Sequence, residues 1–488
     1  MSRWRKSALT HRDSCRRRIL PNVVLITAIL CCCCLFGVGA QEYGSTDAGE
    51  LEALFDVLGG ISPDTNWRDQ LPDPCNSWQQ GIYCLADNDT GELHVTNLEF
   101  GVLSDYIDVI PCSGHASLHP SIGKLPFLQS LQIFSCFTSQ SASIPEEIGM
   151  LQDLQILTFQ DNPELRGTLP LSLGNLTNLQ RLSVTETGME GTIPSEIGSL
   201  VNLRQLDLSR NQLQGFIPES LNSLGSLQIM DFGGNFLSGV LPFLGGLRSV
   251  VKMVLSNNLL NGSIPSDMGQ LTTLTYLDLS YNNLTGGIPS SFANLTNLEN
   301  LFLEHNDMGT SLPSFLGSMP ALSRLTLAQS NYVGEIPPAF GNMTNLRVLV
   351  LKDNLLSGVI PAALGALPNI YHLDLSRNNL TGPVPFSLGF VEKMGSNLII
   401  LNNSGLCFPH SSARVAVSTI GVNSCILEEA DSSNFGGQAK SPSESALPGE
   451  SHRNDASGGG TNRFLLVLAV TTNSGKKTSA TGYFQDAL

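Results

Sequence analysis

Leu206-Asp-Leu-Ser-Arg-Asn211-Gln-Leu-Gln-Gly215-Phe-Ile-Pro218 is one copy of a pattern that returns about every 24 residues through most of the 488-residue chain. Later copies include Leu277-Asp-Leu-Ser-Tyr-Asn282 and Leu373-Asp-Leu-Ser-Arg-Asn378. The two leucines alternate with an outward residue, as side chains do along a β-strand. Glycine permits the bend that follows, and proline fixes φ where no ladder hydrogen bond is needed. Because one such turn cannot bury its own leucines, the pattern predicts a solenoid of stacked units.

This pattern resembles the plant-specific subtype of the leucine-rich repeat, which reads Leu-Ser-x-Asn-x-Leu-x-Gly-x-Ile-Pro. The resemblance implies an α/β solenoid, a horseshoe with a parallel β-sheet on its concave face and disulfide-stapled caps. We expect the asparagine of each repeat to satisfy backbone groups in the turn that leaves the strand. Thr187 and Ser330 replace that asparagine with a hydroxyl, so slightly irregular turns are expected there. The full set of these positions is Asn162, Thr187, Asn211, Asn235, Asn258, Asn282, Asn306, Ser330, Asn354, Asn378 and Asn402.

Residues 1–40 have the pattern of a secretory signal. A basic start precedes an apolar run of 14 residues, Val23 to Phe36, and Val38-Gly39-Ala40 is a small-residue cleavage context. A type II membrane anchor is the alternative, although a span needs about 20 apolar residues. Without this segment the formal net charge falls from −16 to −22, since residues 1–40 hold seven Lys/Arg and one acidic residue. So negative a net charge argues against nucleic acid or an anionic membrane as a partner and favours a basic ligand. The alternative is that the charge is the general acidic surface of an extracellular protein, which serves solubility.

Six of the eleven cysteines lie outside residues 1–40. An even number of cysteines at the ends of a secreted solenoid indicates disulfides. Zinc is the alternative, but these six cysteines lack the Cys-x-x-Cys spacing typical of zinc sites. An insertion from Asp105 to His119 breaks the first repeat and contains Cys112, while Cys136 occupies an asparagine position; a disulfide between them would hold the insertion against the turn. The chain also carries eight Asn-x-Ser/Thr sequons, which together with the signal segment predict a glycoprotein. They are Asn88, Asn175, Asn261, Asn283, Asn294, Asn342, Asn379 and Asn402.

The ends of the repeat array narrow the resemblance. Pro74-Cys75-Asn-Ser-Trp78-Gln-Gln-Gly81-Ile-Tyr-Cys84 resembles a plant cap motif in which a cysteine pair brackets Trp and Gly, which implies a Cys75–Cys84 disulfide. Gly405-Leu-Cys407 and Gly421-Val-Asn-Ser-Cys425 form the opposite cap, where we pair Cys407 with Cys425. With the Cys112/Cys136 insertion, residues 47–425 resemble plant leucine-rich-repeat receptor-like proteins without a kinase domain, the TOO MANY MOUTHS and piriformospora-insensitive class. The resemblance implies a cell-surface protein that partners receptor kinases and helps them recognise secreted peptides.

The predicted organisation follows from these features. Its segments are a signal peptide (1–40), an N-terminal cap (41–98), an irregular first repeat with the cysteine-containing insertion (99–124), repeats of about 24 residues (125–402), a C-terminal cap (403–427) and a disordered, acidic, Ser/Gly-rich tail (428–488). In the tail, Phe464-Leu-Leu-Val-Leu-Ala-Val470 begins like a membrane span but stops after seven residues. We expect a membrane anchor truncated by splicing or gene-model error, and a secreted form is the alternative.

Outward positions of the middle and late strands supply the candidates for ligand binding, because tyrosine, phenylalanine and arginine commonly anchor interfaces. Tyr281, His305 and Gln329 should form one row across successive repeats. His305 and His372 belong to different rows, and the recurring Asp207, Asp231, Asp278 and Asp374 read as repeat consensus rather than as a catalytic dyad. The candidates are Tyr276, Tyr281, Phe302, Glu304, His305, Arg324, Gln329, Val348, Val350, Lys352 and Asp353.

The chain shows no nucleophile motif, phosphate loop or kinase signature, so neither an enzyme nor a cofactor or metal site is expected. The sequence predicts an extracellular recognition protein that binds a secreted peptide, the ectodomain of a leucine-rich-repeat receptor kinase, or both, in signalling for development or microbe response. The rival is a secreted inhibitor of pathogen cell-wall-degrading enzymes, similar to polygalacturonase inhibitors. A cell-wall scaffold is a third possibility without a specific feature in its favour.

Overall fold

The computed structural model describes residues 44–77, 81–102, 110–409 and 422–425. All of them belong to the first of two units into which the chain divides, residues 1–426 and 427–488. The predicted signal segment, Trp78, residues 105–109 of the insertion and the tail with its apolar stretch therefore lie outside the described residues.

The repeats build two sets of parallel strands. The larger sheet starts with the antiparallel pair β1 (Ile82–Ala86) and β2 (Leu93–Gly101) and then adds one parallel strand per repeat. Its further members are β3 (Ser130–Phe134), β4 (Ile156–Thr168), β5 (Arg181–Gly191), β6 (Gln205–Asp207), β8 (Ile229–Asp231), β10 (Lys252–Val254), β12 (Tyr276–Asp278), β14 (Asn300–Phe302), β15 (Arg324–Thr326), β17 (Val348–Val350), β19 (His372–Asp374) and β21 (Leu398–Ile399). This is the concave sheet of the predicted leucine-rich-repeat solenoid, which is confirmed.

A second set of short strands follows the turns and forms the lateral sheets. One group pairs with the end of β5 and the other stands apart, because residues 307–311 contribute only isolated bridges between them. The strands are β7 (Gln212–Gly215), β9 (Phe236–Val240), β11 (Leu259–Ser263) and β13 (Asn283–Thr285), then β16 (Val333–Glu335), β18 (Leu355–Gly358), β20 (Asn379–Pro383) and β22 (Gly405–Cys407).

The convex side carries one short 3₁₀ helix in most repeats. Most of these helices follow the Ile-Pro or Leu-Pro step of the repeat, where proline precedes the helix, with φ −65° at Pro218 and −60° at Pro289. The 3₁₀ helices are Pro74–Asn76, Pro120–Lys124, Glu146–Met150, Leu171–Asn175, Ser195–Ser199, Glu219–Ser223, Ser266–Gln270, Ser290–Asn294, Ser314–Ser318, Pro338–Asn342, Ala362–Ala366 and Gly395–Asn397.

Buried asparagines join each repeat to its neighbours. The Asn258 carboxamide oxygen accepts from the Leu237 N–H at 3.0 Å, and its Nδ2 donates to the Phe232 carbonyl of the preceding repeat at 2.9 Å. Ser330 replaces this contact with its hydroxyl, which donates to the Leu303 carbonyl at 2.9 Å. The expected irregularity is present at Ser330, where Asn331 as well as Gln329 has left-handed φ, but at Thr187 the strand β5 continues without a break.

The last position of this series was predicted wrongly. Asn403, not Asn402, is the buried asparagine: its Oδ1 accepts from Leu380 N at 3.1 Å and its Nδ2 donates to the Leu375 carbonyl at 3.0 Å. Asn402 is exposed at φ 59° in the preceding turn position. The cause is the α-helix Leu388–Met394, which lengthens the final repeat by one residue relative to the 24-residue period.

The caps close the two ends of the core. In the N-terminal cap, helix α1 (Ala48–Ile61) starts at Asp47, whose carboxylate accepts from the Gly49 and Glu50 N–H groups, and α2 (Trp67–Gln70) follows it. Helix α3 (Leu388–Met394) precedes the C-terminal cap. Three disulfides join Cys75 to Cys84, Cys112 to Cys136 and Cys407 to Cys425. Within the described ranges, no helix has the length and apolar character that a membrane crossing requires.

Candidate binding surface

The concave sheet arranges its outward residues in rows, because neighbouring strands pair in register one repeat apart. We number four rows from the start of each strand. The first row begins the strand, the second lies between the two strand leucines, the third follows the second leucine, and the fourth precedes the buried asparagine. Residues of the fourth row have left-handed φ, such as 56° at Arg210 and 54° at Tyr281. This row therefore forms a ridge where the concave sheet turns toward the lateral sheets.

The predicted candidates divide among the four rows. Tyr276, Arg324 and Val348 lie in the first, Phe302 and Val350 in the second, and Glu304 and Lys352 in the third. The fourth row contains Tyr281, His305, Gln329 and Asp353, so the first three of these form one row, as the repeat period predicts.

A run of aromatic and cationic side chains crosses the concave face. The rings of Tyr276 and Phe302 have centroids 5.1 Å apart and are tilted by 39°. The Lys252 ammonium lies 5.8 Å from the Tyr276 ring on one side, and the Arg324 guanidinium lies 5.9 Å from the Phe302 ring on the other. Among the described residues, Arg324 forms no ion pair or side-chain hydrogen bond. It is therefore available to a carboxylate or a carbonyl of a ligand.

The ridge carries a second aromatic pair and a charged group. Tyr281 stacks on His305, with centroids 4.0 Å apart, and 47% of the tyrosine is exposed. Further along, Asp353 receives Gln329 Nε2 at 3.3 Å and lies 3.7 Å from the Lys352 ammonium. Arg377 reaches the same carboxylate at 3.4 Å. The ridge therefore offers an aromatic platform followed by a group of mutually satisfied charges.

Burial shifts the protonation of several groups beside the aromatic run. Burial, then the negative charge of Asp278, raises the pKa of Tyr276 to about 12, so its hydroxyl stays protonated and can donate. Burial also raises the pKa of the Glu304 carboxyl, against the opposing hydrogen bond donated by Thr326. Burial, then repulsion from Asp207, raises the pKa of Asp231. In both carboxyl groups the loss of water outweighs the hydrogen bonds and cations that would favour the charged form.

Sequence reasoning missed two parts of this surface. Lys252 starts strand β10 against Tyr276 and lies 3.6 Å from the Asp231 carboxylate. Phe232-Gly233-Gly234-Asn235 departs from the Leu-Ser-x-Asn consensus and opens a recess of about 710 Å³ beside Asp231. The signal for the recess was present in the sequence, since the two glycines remove the side chains of the third and fourth rows in one repeat.

All eight sequon asparagines are exposed. Asn175, Asn294 and Asn342 each end a convex 3₁₀ helix, whereas Asn261, Asn283 and Asn379 lie in lateral strands. Asn88 lies in the turn between β1 and β2, and Asn402 lies on the ridge. The sequons thus leave the first three rows of the concave sheet free.

Family models identify the repeat. A model described as "Leucine-rich repeat region" matches residues 109–241, and one described as "Leucine rich repeat" matches residues 248–308, 272–332 and 320–380. Together they match more than half of the chain.

Two of the similar proteins are plant leucine-rich-repeat receptor-like proteins. Piriformospora indica-insensitive protein 2 of Arabidopsis thaliana is 37% identical over 153 residues, which cover 30% of this chain and 35% of that protein. Protein TOO MANY MOUTHS of Arabidopsis thaliana is 37% identical over 137 residues, covering 28% of this chain and 27% of that protein. Each match therefore spans about a third of the relative or less.

Among solved structures, one similar chain is the plant peptide hormone receptor RGFR1 in complex with RGF2. It superposes with a TM-score of 0.55 at 30% identity, over 65% of this chain and 47% of the receptor chain. The match spans about half of that receptor. The shared fold is thus that of a plant receptor ectodomain. The candidate binding residues are identified from the geometry of this chain and not from that receptor.

Proposed function

The chain belongs to the leucine-rich-repeat proteins and is similar to plant receptor-like proteins, and from that premise we propose that it is an extracellular, non-catalytic recognition protein. It binds a secreted peptide, the ectodomain of a leucine-rich-repeat receptor kinase, or both, on its concave face. Any signal passes through a partner that carries a kinase, in development or in the response to microbes. Membrane attachment, if present, is through a C-terminal anchor.

The observation that carries this proposal is the run of Lys252, Tyr276, Phe302 and Arg324 across the concave sheet. Aromatic and arginine side chains dominate the binding energy of protein interfaces. Here the parallel strands and the asparagine ladder hold them on a rigid support, so little conformational entropy is lost when a partner binds. Their half-buried rings gain further burial on contact with an apolar side chain.

Accessibility supports the same face. The proposed glycans at the eight sequons project from the convex side, the lateral strands, the β1–β2 turn and the ridge at Asn402. A partner can therefore approach the first three rows without displacing sugar. The three disulfides fit an oxidising compartment, as does the proposed signal in residues 1–40.

The test is a pull-down with the epitope-tagged, secreted full chain from plant membrane extract, read by mass spectrometry. We expect enrichment of a leucine-rich-repeat receptor kinase, because the concave anchors suit a protein partner. Phe302→Ser removes the centre of the aromatic run and should reduce recovery at least about tenfold. Phe243→Ser is the matched control, since Phe243 is 50% exposed in the convex-side segment after β9.

Equal recovery with Phe302→Ser and wild type would contradict binding through the concave face. Recovery of cell-wall-degrading enzymes in place of a kinase, with inhibition of a fungal polygalacturonase by the purified chain, would favour the inhibitor. That assay separates the two classes because an inhibitor needs no membrane partner.

A further inference from the structure

Asp231 differs from the other aspartates of its row. Asp207, Asp278 and Asp374 each accept a hydroxyl hydrogen bond from the serine two residues later, at 2.7, 2.6 and 2.5 Å. At Asp231 that position is Gly233, which offers only its backbone N–H, at 3.1 Å. Lys252 is the nearest cation, at 3.6 Å. One carboxylate of the series thus lacks the hydroxyl donor that the repeat normally supplies.

The backbone at residue 233 does not require glycine. Its φ is not left-handed, and an added Cβ would lie 3.2 Å from Val254 Cγ1 and 3.3 Å from Asp231 Oδ1, so it would meet the carboxylate directly. Gly234 has φ 70°, but Arg210 and Asn257 hold the same conformation in neighbouring repeats. Both glycines therefore act mainly by leaving space in the third and fourth rows.

The resulting recess has a negative balance. Its walls include the carboxylates of Glu186, Asp207 and Asp231 and the guanidinium of Arg210, which is paired with Glu186. With the Lys252 ammonium 3.6 Å from Asp231, three carboxylates still face only two cations. Ser256 and Asn257 add polar groups on the opposite side. Asp207 and Asp231 lie on adjacent strands, about 5 Å apart along the row, which suits a group with several donors.

We propose that this recess binds an arginine side chain of the ligand, whose guanidinium donates to the carboxylates of Asp207 and Asp231. The planar guanidinium has five donors and can bridge two carboxylates, which a lysine ammonium does less well. The proposal deepens the proposed function, on which it rests, by naming one chemical requirement of the ligand. Burial and the charge of Asp207 raise the pKa of Asp231, and a bound guanidinium would stabilise the charged carboxylate against both.

The distance to the aromatic run sets a second requirement. Asp231 and Phe302 belong to the same row, three strand steps apart, which is roughly 14 Å at about 4.8 Å per strand. An extended peptide advances about 3.3 Å per residue. The ligand therefore carries its arginine about four or five residues from an apolar or aromatic residue that contacts Phe302.

The experiment is a selection of random ten-residue peptides displayed on phage against the immobilised full chain, followed by sequencing. We expect enrichment of arginine four or five positions from an apolar residue. The strongest selected peptide is then synthesised with arginine and with citrulline, which keeps the shape and removes the charge. Fluorescence anisotropy should show at least about tenfold weaker binding of the citrulline form.

Variants locate the effect. Gly233→Ser restores the consensus hydroxyl beside Asp231, and Asp231→Asn removes the charge. Each variant should bind the arginine peptide about tenfold more weakly and should bind the citrulline peptide as the wild type does. Asp374→Asn, at the same row position four strands beyond β12, is the matched control and should change neither. The assignment of the recess as an arginine site is overturned if the preference for arginine survives Asp231→Asn. It is also overturned if the selection enriches no arginine. Peptides that depend on Phe302 but not on Asp231 would leave the proposed function standing, whereas failure of the kinase pull-down as well would remove both.

Discussion

Tyr281 and His305 stack face to face across neighbouring repeats, with ring centroids 4.0 Å apart and planes inclined by only 17°. Both residues have left-handed φ, 54° and 56°, a conformation that bulky side chains rarely adopt. The asparagine ladder just beneath the ridge imposes this conformation on each repeat. The repeat geometry therefore sets the stack, which lies along the rim of the concave face.

This stack should couple the two residues energetically. Replacing each with alanine and then both should give a coupling energy of about 0.5–1.5 kcal/mol, since aromatic pairs contribute beyond their burial. The measurement is the free energy of unfolding of the four proteins in urea. His305 with Gln329 provides the comparison, because these neighbours in the same row share no ring contact. A coupling that is equal for both pairs would show that the stack contributes nothing of its own.

Asn258 and its neighbour Asn257 should differ sharply in how much stability is lost on substitution. Asn258→Ala leaves the buried Leu237 N–H and the Phe232 carbonyl without their partners and should destabilise the protein by about 2–4 kcal/mol. Asn257→Gly keeps the left-handed turn at φ 55° and should change stability by less than about 0.5 kcal/mol. Urea unfolding of both variants checks this pair, and similar losses would contradict the ladder as the source of stability.

Repeat periodicity predicted what depends on the backbone. The concave sheet, the row of Tyr281, His305 and Gln329, and the buried asparagines follow from spacing alone, because each strand residue has a fixed direction. The assignment of Asn402 as the last buried asparagine was wrong, because the 24-residue spacing was extended through a repeat that helix α3 lengthens by one residue. The predicted signal and tail fall outside the described residues and stay predictions.

Contacts between side chains could not be predicted in the same way. Tyr276 and Phe302 belong to different rows and meet because their rings lean toward each other, which depends on rotamers and local packing. Asp231 looks like Asp207 in the sequence pattern, but the loss of the following serine and the contact with Lys252 make its environment different. Lys252 was overlooked because its partner ring is contributed by the next repeat.

Tyr332 should tolerate the loss of its hydroxyl. The side chain is fully buried where most repeats have leucine, its hydroxyl has no hydrogen-bond partner among the described residues, and burial raises its pKa. Tyr332→Phe removes a buried polar group that has lost water, so stability should stay the same or rise by about 1 kcal/mol. Tyr332→Ala should cost about 3–5 kcal/mol through the cavity it leaves. Thermal and urea unfolding test both, and a large loss with phenylalanine would reveal a partner for the hydroxyl.

Asp231 should make the stability of the protein depend on pH in an unusual direction. Its pKa is raised in the folded state by burial and by Asp207, against weaker help from the Gly233 N–H and Lys252. Between the unfolded pKa of about 3.9 and the higher folded value, the native protein binds more protons than the unfolded chain, so the contribution of this group to stability falls as pH rises. At neutral pH the folded state therefore holds an unfavourable charge.

Asp231→Asn should accordingly raise the melting temperature at pH 7, with a gain that shrinks as pH falls through the folded pKa and vanishes below about 3.9. The amide oxygen can still accept from Gly233, so the backbone contact is kept. Asp374→Asn is the control, because Asp374 keeps a serine hydroxyl partner at 2.5 Å and should show no comparable gain. Scanning calorimetry of the three proteins from pH 3 to 8 checks the expectation. A loss of stability at pH 7 in Asp231→Asn would mean that the contact with Lys252, at 3.6 Å, outweighs burial and the repulsion from Asp207.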